Sequence, residues 1–108
     1  GVASREFLYS EDTARAIIDM AERVNETGPF NLGTGVETTI KELVETIGEL
    51  TDFDGEIVWD TSKPDGQPRR FYDMQKFREA VGYVPSTTIE DGLKKTIEWY
   101  KSEKQGYN

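Results

Sequence analysis

Apolar residues recur at helical spacing in several stretches of the 108-residue chain, and short extended runs separate them. That alternation restricts the fold more than any other feature. Ala14, Ile17, Ile18, Ala21 and Val24 form one stripe, after Ser10, a candidate cap with Glu11 and Asp12 beside it. Gly28 and Pro29 end that helix. "TIKE" (39–42) is a capping box that opens a second helix, with Ile40, Leu43, Val44, Ile47 and Leu50 on one face. Asp73 caps a short third helix through Phe77 and Val81, which Gly82 closes. Ile89, Leu93, Ile97 and Tyr100 mark a fourth, followed by a frayed tail, "SEKQGYN". Between them, "REFLY" (5–9), "FNLG" (30–33), "GEIVWD" (55–60) and "RFY" (70–72) read as strands. The expectation is an α/β unit of short strands and about four helices, one small domain over 1–108.

Charge narrows the partners. Thirteen basic against 21 acidic residues leave a net charge of -8, which opposes general binding to nucleic acid or an anionic membrane. No signal-peptide core and no run of membrane-spanning length is present, so the expected location is the cytoplasm. Zero cysteines exclude disulfides and thiolate metal sites, and zero histidines remove the commonest acid–base group.

Against that background "SKPDGQPRR" (62–70) stands out, with Lys63, Arg69 and Arg70 in one loop around a single Asp65. Pro64 and Pro68 stiffen it, and Gly66 permits a turn that other residues would strain. Two arginine forks suit phosphate oxygens, and Asp65 can accept from a hydroxyl or an amide. A solvated turn whose arginines pair with neighbouring acids accounts for the same residues.

Three further patterns carry less. "YDMQK" (72–76) matches the Tyr-x-x-x-Lys pair of short-chain dehydrogenases, but Tyr72 precedes the expected helix and need not share a face with Lys76. "GTG" (33–35) has Thr38 where a dinucleotide fingerprint needs its third glycine. Arg5 points to one face of its strand and Glu6 to the other, and a surface pair of Arg5 with Glu6 or Glu11 is the plain alternative to a ligand contact. No residue is assigned to catalysis and none to cofactor binding.

Taken in order, "REFLYSED", "FNLGTG", "EIVWDTSKPDGQPRR" and "EDGLKKTIEWY" resemble the C-terminal part of extended short-chain dehydrogenase/reductase enzymes that act on nucleotide sugars. "KPDGxPR" after a "VWD"-type strand is particular to the GDP-L-fucose synthase group within them. The resemblance implies a substrate-binding domain whose Arg5, Asp65 and Arg70 meet the nucleotide sugar. It also implies a separate N-terminal Rossmann domain that binds NADP and performs the chemistry, and a homodimeric full-length enzyme. The family commonly has lysine at the position of Arg70, valine or histidine at that of Ser10, and "RKLLDV" where this chain has "RRFYDM". The epimerising cysteine and histidine of the family have no counterpart here, so the chain alone is expected to be inactive. Another nucleotide-sugar epimerase or dehydratase, such as a UDP-sugar 4-epimerase, fits the wider motif, and a non-catalytic interaction domain fits the composition.

Overall fold

The computed structural model describes residues 1–64 and 66–106. Two helix pairs flank a minimal ladder. β1 (Ser4–Arg5) runs antiparallel to β2 (Thr38–Thr39), with Ser4 opposite Thr39 and Arg5 opposite Thr38. The helices are α1 (Ser10–Arg23), α2 (Ile40–Leu50), α3 (Gln75–Val81) and α4 (Ile89–Gly106). α1 packs on α3, and α2 on α4.

Local signals set the helix ends. Thr39 accepts from the Glu42 amide at 3.1 Å while the Glu42 carboxylate accepts from the Thr39 amide at 3.3 Å, so the capping box forms as expected. Gly82 closes α3 in the left-handed region at φ 83°. The α1 start differs by a residue: Tyr9 is the cap position and Ser10 is already helical, with no side-chain cap. Met74 rather than Asp73 precedes α3, although the Asp73 carboxylate does accept from the Gln75 amide. α1 stops at Arg23, before Gly28-Pro29, where the Arg23 guanidinium turns to donate to the Val81 carbonyl at 2.7 Å. That bond satisfies a carbonyl at the end of α3. The expected frayed tail is helical through Gly106, while Tyr107 and Asn108 lie outside the described residues.

The core is small. Ala16, Met74, Phe77 and Val81 are buried together, with Met20, Leu32, Ala80, Tyr83 and Val84 packed around them. Phe77 meets Tyr83 edge to face at 5.7 Å between centroids. The stripe expected to bury α1 is not in this core: Ile17 is 56% and Ile18 59% exposed, while Ala16 is fully buried. The helix has two apolar sides, and α3 covers the one with Ala16 and Met20. On α2 the expected face is right but only half-covered, and Tyr100 on α4 is exposed.

The strands depart most from expectation. Of the expected strands, 5–9 is extended into a ladder only at Arg5, 70–72 contributes only the Arg70 amide, 30–33 and 55–60 form no ladder, and Val58 is 76% exposed. Strand propensity is realised only where a hydrogen-bonding edge is available, and "GEIVWD" has none among the described residues. The backbone pairs instead at two threonines and in the proline-rich loop.

The radius of gyration is 16.8 Å, and the extents are 50 × 37 × 19 Å. A compact domain of this length has a radius of about 13 Å. The chain is a flat plate with much of its apolar surface on the outside.

Candidate substrate-binding face

The basic loop joins the ladder. The Ser4 amide donates to the Pro68 carbonyl at 2.9 Å and the Arg70 amide donates to the Ser4 carbonyl at 3.2 Å, a parallel bridge between Ser4 and Arg69. β1 thus lies between β2 on one side and residues 68–70 on the other. Gly66 turns the loop at φ 75°, a left-handed conformation that favours glycine. At the loop's start, Asp60 accepts from both the amide and the hydroxyl of Ser62, which holds its carboxyl below the ordinary value.

The three cations of the site are not equivalent. Arg69 makes a two-pronged pair with Glu37, Nε to Oε1 at 2.6 Å and Nη2 to Oε2 at 2.7 Å. Ser4 donates its hydroxyl to the same Glu37 oxygen at 2.9 Å. The Arg69 hydrogen bonds and, to a smaller degree, the Ser4 hydroxyl keep the Glu37 carboxyl below its usual value, and Glu37 in turn raises Arg69. The plain reading of the loop, arginines paired with acids, holds for this residue.

Arg5 and Arg70 differ. Strand alternation carries them to the face opposite Ser4 and Arg69. The Arg5 Nη1 donates to the Ser4 carbonyl at 2.7 Å, and its Nη2 lies 3.9 Å from where a side chain on Gly66 would begin. Arg70 donates from Nε and Nη2 to the Gln67 amide oxygen at 3.1 and 2.9 Å. Neither guanidinium reaches a carboxylate among the described residues. Asp65, the third expected site residue, lies outside the described residues. Arg5 is half-buried and Arg70 exposed, and each keeps guanidinium donors that no carboxylate among the described residues occupies, so each can donate to an anion's oxygens.

The remaining motifs resolve by position. Tyr72 precedes α3, and the Lys76 ammonium donates to the Pro29 carbonyl at 2.9 Å while sitting 4.2 Å from the Phe30 ring centroid. The pair is therefore not set as an acid–base couple. The "GTG" turn does bind an anion, and the anion is a side chain of this protein. Glu6 places Oε1 2.9 Å from the Thr34 amide and 2.5 Å from the Gly35 amide. The turn has no free cradle for a cofactor phosphate. Residue type alone does not single out Glu6, because a carboxylate next to Arg5 looks like half of a surface pair.

The fold as a whole is similar to parts of solved enzymes. The structure of a GDP-L-fucose synthetase from Naegleria fowleri bound to NADP superimposes with a TM-score of 0.91 at 30% identity, covering 97% of this chain and 33% of that one. GDP-L-fucose synthase 1 of Arabidopsis thaliana is 39% identical over 100 residues, 93% of this chain and 31% of the relative. This chain is related to the GDP-L-fucose synthases. A Thermotoga maritima UDP-glucose 4-epimerase with UDP-glucose also matches, at a TM-score of 0.84 and 32% identity, over 95% of this chain and 33% of that one. No protein-family model matches the chain. The chain spans about a third of the length of these GDP-L-fucose synthase and epimerase relatives, so the likeness concerns one part of an extended short-chain dehydrogenase/reductase.

Proposed function

We propose that the chain is the substrate-binding part of an NADP-dependent nucleotide-sugar epimerase/reductase that converts GDP-4-keto-6-deoxy-mannose to GDP-L-fucose. The observation that carries this reading is the division of labour among the arginines. Glu37 neutralises Arg69, whereas Arg5 and Arg70, each next to a residue of the Ser4–Arg69 bridge, have no carboxylate partner among the described residues. A diphosphate needs such local charge on a protein whose net charge is -8. Asp65 completes the set by accepting from a sugar hydroxyl, as its place in "KPDG" implies.

The loop is exposed along its described length, so this face covers a ligand from one side only. The other side, the NADP site and the proton and hydride transfers belong to a Rossmann domain of the same enzyme. The uncovered Ile17 and Ile18 side of α1 and the flat shape support a plate that rests on such a partner. The enzyme works in the cytoplasm, as a homodimer.

The test is turnover by the full-length protein. With NADPH and GDP-4-keto-6-deoxy-mannose it should form GDP-L-fucose and oxidise the nicotinamide. Interconversion of UDP-glucose and UDP-galactose, with no use of the GDP-sugar, would favour the second reading, which the Thermotoga likeness supports. No turnover of either, together with no nucleotide-sugar binding, would leave an interaction module.

A further inference from the structure

We infer that Glu6 is the positioning residue of the substrate loop, a role that rests on the proposed function above. One carboxylate holds two distant segments. Oε1 accepts from the Thr34 and Gly35 amides at 2.9 and 2.5 Å, and from the Thr34 hydroxyl at 3.4 Å. Oε2 accepts from the Tyr72 amide at 2.6 Å. Bonds from backbone N–H groups to a carboxylate are charge-assisted and strong.

The surroundings are shaped for this carboxylate. Gly35 takes φ 73°, so successive amides turn inward as a nest. A β-carbon on Gly33 would lie 2.8 Å from Oε1, so only glycine leaves the carboxylate its place. Glu6 follows Arg5 directly, and Tyr72 comes two residues after Arg70. The clamp therefore grips the chain immediately beyond both guanidinium-bearing positions. Among the described residues, the other bonds that tie the loop's exit to the ladder are the two Ser4 backbone bonds and the Arg69–Glu37 pair. The Glu6–Tyr72 bond fixes the loop's exit two residues beyond Arg70, past the bridge that holds Arg70 to Ser4. Glu6 touches no substrate; it sets where the residues that touch it stand.

The test compares Glu6→Gln and Gly33→Ala in the full-length enzyme. The first replaces an acceptor oxygen by an amide that faces N–H donors, and the second displaces the same carboxylate without altering it. Both should raise deuterium uptake at Thr34, Gly35 and Tyr72. Both should raise the KM for the nucleotide sugar roughly tenfold, the size of one lost charge-assisted hydrogen bond. The kcat and the Kd for NADPH should hold. Loss of NADPH binding and kcat in step with the Tm would mean that Glu6 only supports the fold, and would overturn the inference. Unchanged uptake at the three amides would overturn it at the clamp. Raised uptake with an unchanged KM would overturn it at the positioning step. If Arg5→Ala also left the KM unchanged, the fault would lie in the substrate reading itself.

Discussion

Positions 16 and 18 of α1 separate the packing described here from the periodicity of the sequence. The apolar spacing assigns Ile18 to the core and says nothing of Ala16. In the fold Ile18 is 59% exposed and Ala16 is fully buried against Met74, Phe77 and Val81. Full burial of an isoleucine side chain is worth about 1.5–3 kcal/mol. With less than half of Ile18 covered, Ile18→Ala should cost about 1 kcal/mol or less, where a core isoleucine would cost about 2–5 kcal/mol. Ala16→Leu forces three extra carbons into a filled site and should cost about 1–3 kcal/mol or more. Urea unfolding of the 108-residue chain, followed by circular dichroism at several protein concentrations, measures both. The concentration series matters because the exposed Ile17–Ile18 side is expected to self-associate when the chain stands alone, and Ile18→Ala should weaken that association. A large loss at Ile18 with a neutral Ala16→Leu would refute this packing and restore the sequence stripe.

Thr39→Ala removes the capping box of α2 and should cost about 1 kcal/mol in the same urea assay, while Thr39→Ser should retain most of it. Because Arg69 holds the Glu37 carboxyl below its ordinary value, the pair's contribution is complete above the ordinary carboxylate range and disappears as the pH falls through the lower folded-state value. An NMR titration should show Glu37 moving up in Arg69→Ala, and no movement would mean that the pair does not persist in solution. The 108-residue chain should leave NADPH absorbance unchanged when given GDP-4-keto-6-deoxy-mannose. Oxidation abolished by Tyr72→Phe would return Tyr72 and Lys76 to catalysis.

Features decided within a few residues were legible in the sequence. The Thr39–Glu42 box, the Gly82 stop, the Gly66 turn and the existence of four helices depend on local hydrogen bonds and backbone freedom. The strands were not legible, because a ladder needs an edge, and residues far apart in the chain supply it. Ser4 pairs with Thr39 and with Arg69, neither of which carries a strong strand signal, while Ile57, Val58 and Trp59 carry one and remain unpaired. The outward stripe of α1 misled for a related reason. Periodicity marks which side of a helix prefers to be buried, and it does not say whether the partner lies in the same stretch of chain. The candidate site was legible as chemistry, since Arg5 and the loop were both singled out. That Arg69 is neutralised by Glu37, and that Glu6 binds two segments, depends on distances no pattern of residue types encodes.

The most direct measurement of the central claim is nucleotide-sugar binding by the full-length enzyme with Arg5 replaced. The Arg5 guanidinium lies beside Gly66 of the loop, and Arg5 and Arg70 each follow a residue of the Ser4–Arg69 bridge. Loss of charge-assisted contacts should cost roughly 1.5–3 kcal/mol, a tenfold to hundredfold weakening in Arg5→Ala. Arg70→Lys, which keeps a point charge, should weaken binding less. Calorimetry should show NADPH affinity unchanged in both variants. If Arg5→Ala and Asp65→Ala each bind GDP-4-keto-6-deoxy-mannose as tightly as the unaltered enzyme, the loop is a solvated turn and the assignment of this face to substrate is wrong.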